Sequence, residues 1–264
     1  MKKLSLKHVI LFFVSMLLFA SCLGEGRNTE SGPAVGVVRF DMKTFQNVLD
    51  VDATTSFYSI RFKNINEGAC LYVLYEIDWD DPENSSENIL AKGYLTVSIL
   101  DSKELDQFNM NYYGITDTTQ MIANEFEIID PIYNNDFAYI RGMGFFGSIL
   151  EMPADQKMYW DLSCNMQDDA KIDNDVLTNN KRVYDVFLRS IVERTSSKSP
   201  EKIGMLNAYY MEPFMEKIAR DEKNLGHTTV RLRINYPSAI KDGQITWSQQ
   251  TSNEISISSI LADK

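Results

Sequence analysis

The chain has 264 residues, 44% of them hydrophobic and 30 of them aromatic, enough to fill packed cores, and 37 acidic against 26 basic side chains give a net charge of −11. That acidity excludes a nucleic-acid partner, whose phosphates require a basic groove, and excludes attachment to anionic membrane surfaces by charge. Two histidines and three cysteines, none at ligand spacing, exclude a zinc site of the usual pattern.

Lys2, Lys3 and Lys7 precede an apolar core at residues 9–19, which Ala20-Ser21-Cys22 closes. A core of this length is too short to span a bilayer, which needs about 20 apolar residues. The pattern resembles a bacterial lipoprotein signal peptide, with Phe19 where an aliphatic residue is usual and Leu18 one position further back. The expectation is removal of residues 1–21 and lipidation of Cys22 by acyl chains such as palmitate. An ordinary secretory signal, with Cys22 retained or lost, is the other reading. Removal would leave 23 basic against 37 acidic residues, a net charge of −14. Membrane attachment then falls to the lipid at Cys22, and more than one chain is needed for a stable anchor at about 0.8 kcal/mol per buried methylene. Leu23-Gly24-Glu25-Gly26 lacks the lysine followed by acidic residues that resembles a surface-export signal. The expected place is therefore the cell envelope, as an outer-membrane lipoprotein on the periplasmic side, with exposure on the cell surface as the other reading.

Residues 22–33 are rich in glycine and polar side chains and read as a flexible tether. Ordered structure is expected from Ala34. Val35, Val37, Val38 and Phe40 begin one strand, residues 57–63 alternate as a second, and at residues 70–79 Leu71, Val73, Tyr75, Ile77 and Trp79 share one face. After the acidic turn Asp80-Asp81-Pro82-Glu83-Asn84 a further strand is expected at residues 89–100. This count places an OB-like β-barrel at residues 34–106.

A polar stretch follows, and a second domain is expected at residues 125–264. Its strands are residues 137–146, 158–167, 183–193, 230–236, 244–249 and 254–261, with the cleanest alternation at Met158, Trp160, Leu162, Cys164 and Met166. Such spacing predicts an antiparallel β-sandwich. One short crossover helix is expected at residues 212–224, with Pro213 in its first turn and Gly226 as a stop. The fold class is all-β. Cys70 and Cys164, 94 residues apart, read as two buried unpaired thiols.

The order of signal, tether, barrel and sandwich, with the local runs Gly68-Ala69-Cys70-Leu71-Tyr72-Val73-Leu74-Tyr75, Asp130-Pro131-Ile132 and Phe137-Ala138-Tyr139-Ile140, resembles the NigD-like lipoproteins of Bacteroidetes. The resemblance implies an N-terminal OB domain and a C-terminal β-sandwich. It also implies a link to bacteriocin biology, such as immunity.

No residue pattern carries catalysis. His227, the only histidine after the signal, stands beside Thr228 and Thr229 with no G-x-S-x-G turn elsewhere, and reads as a surface turn residue. The groups Asp78-Asp80-Asp81-Glu83 and Asp168-Asp169-Asp173-Asp175 fall between strands, where aspartate caps turns, and neither follows the EF-hand order. Tyr112, Tyr113, Tyr159, Tyr209 and Tyr210 are candidates for an aromatic platform, although most aromatic residues of a β protein belong to its core. Asp117-Thr118-Thr119 resembles a short O-glycosylation signal of Bacteroidetes envelope proteins. The reading is a non-enzymatic, lipid-anchored envelope protein that binds a protein or glycan partner, with no catalytic, cofactor or metal residues. A carboxylate-based glycan hydrolase and a purely structural envelope component are the alternatives.

Overall fold

The computed structural model describes residues 28–112, 118, 120–133, 137–172 and 181–262; Cys22 and its signal lie outside them. No helix among the described residues is long and apolar enough to cross a membrane.

The barrel is built from β1 (Thr29–Asp41), β2 (Gln46–Asp50), β3 (Ser56–Tyr58), β4 (Cys70–Asp78), the helix α1 (Ser86–Lys92), β5 (Leu95–Thr96) and β6 (Ser98–Glu104). β1 pairs twice, antiparallel to β4 through residues 29–37 and to β2 through residues 37–41. β5 pairs parallel with β3 and β6 pairs antiparallel with β4. Only Val97 separates them, and its N–H donates to the Tyr58 carbonyl. The ring β1-β2-β3-β5/β6-β4 therefore closes into the five-stranded barrel of an OB fold. Val38, Leu49, Phe57, Leu71, Val73 and Ile77 fill its interior, so the alternation of β4 places Leu71, Val73 and Ile77 on one inward face, as their spacing predicts.

Three sequence expectations change here. The tether of residues 22–33 is shorter, because Thr29 to Pro33 already pair with β4. The strand at residues 57–63 ends at Tyr58 and passes into a 3-10 turn at Ile60–Phe62, which buries Phe62 and exposes Ile60. The strand at residues 89–100 begins as α1 instead: the Ser85 hydroxyl accepts from the Asn88 N–H, and Gly93, with φ of 86°, stops the helix in the left-handed region.

The second unit comprises β7 (Gln107–Asn109), β8 (Glu125–Phe126), β9 (Phe137–Ile140), β10 (Met143–Met152), β11 (Lys157–Ser163), β12 (Lys171–Ile172), β13 (Arg182–Arg194), β14 (Glu201–Tyr210), α2 (Glu212–Asn224), β15 (Thr229–Val230), β16 (Leu232–Lys241), β17 (Gln244–Thr251), β18 (Ile255–Ser256) and α3 (Ile257–Ala262). One sheet runs β7-β14-β10-β9 and the other β11-β13-β16-β17. Phe146, Leu150 and Tyr209 from the first meet Trp160, Leu162, Val186, Leu188 and Ile234 from the second, and Phe214, Met215 and Ile218 of α2 join the same core.

The all-β architecture is as expected; its details differ. The pairs β7/β14 and β13/β16 are parallel, so the sheets are not wholly antiparallel. The strand at residues 137–146 is a hairpin, because Arg141 and Gly142, with φ of 48° and 78°, form a two-residue turn of the kind that needs positive φ at both positions. β14 is an additional strand. The crossover helix covers its expected residues, with Pro213 in the first turn, but it is not the only one: Ile257 and Ile260, buried three apart, turn the last expected strand into α3.

Candidate functional site

The two units meet through their outer faces. Side chains alternate along β1 and β4, so Val35, Val37, Cys70 and Tyr72 point out of the barrel while their neighbours fill it. Facing them are Ala138 and Ile140 of β9, Met143 and Phe145 of β10, and Leu206 and Ala208 of β14, whose own neighbours Phe137, Phe146 and Tyr209 lie in the sandwich core. At one end a polar clamp adds to this contact. Asp50 accepts from Arg39 Nε at 2.8 Å, Ser56 Oγ at 2.6 Å and, from the other unit, Arg141 Nη1 at 3.2 Å.

Where the two faces part they leave a cleft of about 600 Å³. Pro33, Val35 and Tyr72 form one wall, and Tyr133, Phe137 and Leu206 form the other. None of its lining residues is Asp, Glu, His, Lys or Arg. Tyr133 is 54% exposed at its rim.

A second concavity of about 450 Å³ opens at the barrel mouth on the other side of the same strand, where Phe57, Tyr75 and Trp79 stand with Glu30, Asp52 and Thr55. Phe57 and Tyr75 pack at 4.6 Å between ring centroids, and Trp79 is 37% exposed. Burial raises the Asp52 carboxyl, but hydrogen bonds from Thr54 and Thr55 outweigh it and hold the group below its ordinary value. The carboxylate is therefore ionised and occupied by its own turn. Pro33, Ala34 and Val35 border both concavities. The Trp79 N–H donates to the Asn28 carbonyl, and the alternation that follows from this pairing turns the backbone of Thr29, Ser31, Pro33 and Val35 away from β4. Pro33, with no N–H to leave unpaired, suits such an outward position.

The residues singled out from sequence fall elsewhere. Tyr209 is fully buried and stacked on Phe146, Tyr159 packs edge-on against Phe108 while 43% exposed, and Tyr210 donates to Glu212. Tyr112 has its hydroxyl buried, and Tyr113 lies outside the described residues. Those among the described residues form no common platform. Asp78 and Asp81 accept from the backbone N–H of Asp80 and Glu83, as turn caps do, and Asp80 accepts from Asn28. Asp168 accepts from Asn165, and Asp173 and Asp175 lie outside the described residues, as do Asp117 and Thr119. Among the described residues no group of three or more metal-ligating side chains converges. Cys70 and Cys164 are free and buried, and burial pushes each thiol up to about 12, with Glu104 and Asp168 respectively adding to the rise. Neither can act as a thiolate near neutral pH. His227 sits in the turn after α2 with its side chain half exposed, 3.6 Å from Glu222.

Sequence reasoning missed the cleft itself. Its signal is the unbroken apolar run at Cys70-Leu71-Tyr72-Val73 and at Val35 to Val38, since a strand covered on both faces loses its polar alternation.

A closed OB-type barrel bearing a mixed β-sandwich, joined by an apolar face, defines the class of this protein. Residues 26–103 match the family model described as the lipoprotein OB domain. The N-terminal OB domain that the resemblance to NigD-like lipoproteins implies is borne out over those residues. No curated protein matches the chain. An uncharacterized protein from Parabacteroides merdae is 17% identical, with 86% of this chain and 99% of that one covered and a TM-score of 0.72. A candidate lipoprotein from Bacteroides fragilis is 10% identical over 84% of this chain and 97% of its own, with a TM-score of 0.54. These likenesses show the fold. A NigD-like immunity protein from Bacteroides caccae, 10% identical over 84% and 92% of the two chains, has a TM-score of 0.45, too loose to carry an argument.

Proposed function

We propose that this is a non-enzymatic lipoprotein of the cell envelope, anchored through Cys22 and binding a protein or glycan partner at the cleft between its units. The observation that carries the reading is the chemistry of that cleft: tyrosine, phenylalanine and aliphatic walls, which suit contact, with no carboxylate, histidine, lysine or arginine among them. The neighbouring barrel mouth extends it with Trp79 and Tyr75, aromatic faces able to stack on a sugar ring or an apolar side chain. The proposed place is the periplasmic side of the outer membrane, for which protease shaving of intact cells should leave the protein uncut. The narrower form, a role in bacteriocin biology, follows from the resemblance to NigD-like lipoproteins and predicts that deletion changes bacteriocin sensitivity.

Affinity capture from envelope extracts tests the reading, with wild type compared against Tyr133→Ala and Trp79→Ala, both partly exposed. Enrichment of one protein or glycan by wild type and its loss in a variant is the expected result. Repeated failure to enrich anything, or equal capture by all three, refutes the cleft.

A further inference from the structure

A cavity of about 530 Å³ lies in the sandwich unit where α2 ends, and its lining residues differ from those of the cleft between the units. Its walls carry the cations Lys181, Arg182 and Arg231, with His227 beside them, against two carboxylates, Glu222 and Glu254. Among the described residues three cations line it against two carboxylates, an excess of one positive charge on a chain whose net charge is −11. Both carboxylates are engaged. Glu222, deeply buried, accepts from Arg182 Nε at 2.9 and 3.2 Å and from the Tyr184 hydroxyl at 2.7 Å. Glu254 accepts from Lys181 and, at 3.1 Å, from Arg231 Nη2, and those partners hold it below its ordinary value against the opposing effect of burial.

These pairs use only part of each guanidinium. Arg182 meets Glu222 through Nε, which leaves its two Nη groups for another acceptor. Arg231 meets Glu254 through Nη2 alone, and its buried Nε has no hydrogen-bond partner among the described residues, so the guanidinium is incompletely satisfied where it borders the cavity. The negative end of α2 is muted, since the Glu222 and Lys223 carbonyls are capped by the N–H groups of Leu225, Gly226 and His227. Thr228 and Thr229 add neutral hydroxyls to the wall.

We propose that this cavity binds a sugar-sized organic monoanion of the uronic acid class. The Arg182 and Arg231 guanidinium groups receive its carboxylate, and Thr228, Thr229 and Glu254 meet its hydroxyls. A guanidinium fork matches a carboxylate in shape as well as charge. The excess of one positive charge matches a monoanion, whereas a phosphate dianion would face two carboxylates, and the volume exceeds that of an inorganic ion.

The test is calorimetry and thermal shift on the detergent-solubilised full-length mature protein, with glucuronate and galacturonate as probes, glucose as the neutral control and inorganic phosphate and sulfate as the other oxyanions. A uronate should bind and raise the melting temperature while glucose does neither. Arg231→Gln should weaken binding about tenfold or more, the usual effect of losing a charged hydrogen bond. Lys181→Gln, at a partly exposed position, should fold normally and weaken it severalfold, so the charge argument stands or falls even where Arg231→Gln fails to fold. Tyr133→Ala should bind the uronate as wild type does, which separates this cavity from the cleft. Absence of uronate binding at about 10 mM, a range in which even millimolar affinity is seen, overturns the proposal. So does glucose binding as tightly, phosphate or sulfate binding in place of the uronates, or a Lys181→Gln variant with unchanged affinity.

Discussion

Replacement of Glu125 by leucine should be among the most damaging single changes available in this chain. Arg189 and Glu125 are both fully buried, and Arg189 Nη1 donates to Glu125 Oε1 at 2.7 Å and to the Gln120 carbonyl at 3.1 Å. The guanidinium also lies 4.6 Å from the centre of the Trp247 ring, and the second Glu125 oxygen accepts from the Ile122 N–H at 3.0 Å. Glu125→Leu takes from a buried cation the carboxylate that sits 2.7 Å away, which costs about 3–5 kcal/mol, and frees the Ile122 N–H, for about 1 kcal/mol more. The double variant Glu125→Leu with Arg189→Leu removes both charges together and should recover most of that loss, because a buried pair roughly balances its own desolvation. Urea unfolding followed by tryptophan fluorescence measures all four members of the cycle. A single variant costing under about 1 kcal/mol, or a double variant as unstable as the two singles added, would refute the account of a pair strong only because each charge needs the other.

Cys22→Ala should abolish fatty-acid labelling and membrane fractionation, and label retained by that variant would sink the anchor. Gly36→Ala would place a Cβ 2.4 Å from the Asp50 carbonyl oxygen and 2.8 Å from Leu49 Cγ, so it should cost about 1–3 kcal/mol, read as a lowered thermal midpoint. Burial raises the Asp185 carboxyl, but Arg233, Lys171 and Asn235 together hold it below its ordinary value. A depressed carboxylate contributes stability that is present above its unfolded value of about 3.9 and lost as pH falls through the folded value. Asp185→Asn should therefore lower the urea midpoint near neutral pH and converge with wild type as pH falls through the depressed folded value, and curves that stay parallel throughout would count against it.

The residues explain what was legible. β11 and β16 showed themselves because Met158, Trp160 and Leu162, or Leu232 and Ile234, face one core while their neighbours do not. α2 was legible from Pro213, its apolar stripe and Gly226. β14 was not. Leu206 and Ala208 face the barrel while Tyr209 enters the sandwich core, so alternation by polarity vanishes where both faces are covered. α1 and α3 are short helices of seven and six residues, too brief for a period of 3.6 to separate from a period of two. The cleft left only the lost alternation of β1 and β4 as a local trace, since its walls come from β1, β4, β9, β10 and β14 and meet only after both units have folded.

The early start of β1 has a mechanical consequence. Pairing with β4 begins at Thr29, so with an anchor at Cys22 at most seven residue steps, about 25 Å of extended chain, connect lipid to body. A leash that lasted to Ala34 would reach about 40 Å. Reach enters as its cube, so the space the body can sweep shrinks roughly fourfold. The concavity bounded by Glu30 and Trp79 lies at the end of β1 nearest Cys22 in the chain, and the hairpin tip with Met42 and Phe45, both 73% exposed, stands a strand's length away. A molecule tethered this closely would sample a thin layer above the bilayer, and partners held in that same layer would meet it at high local concentration without any added affinity.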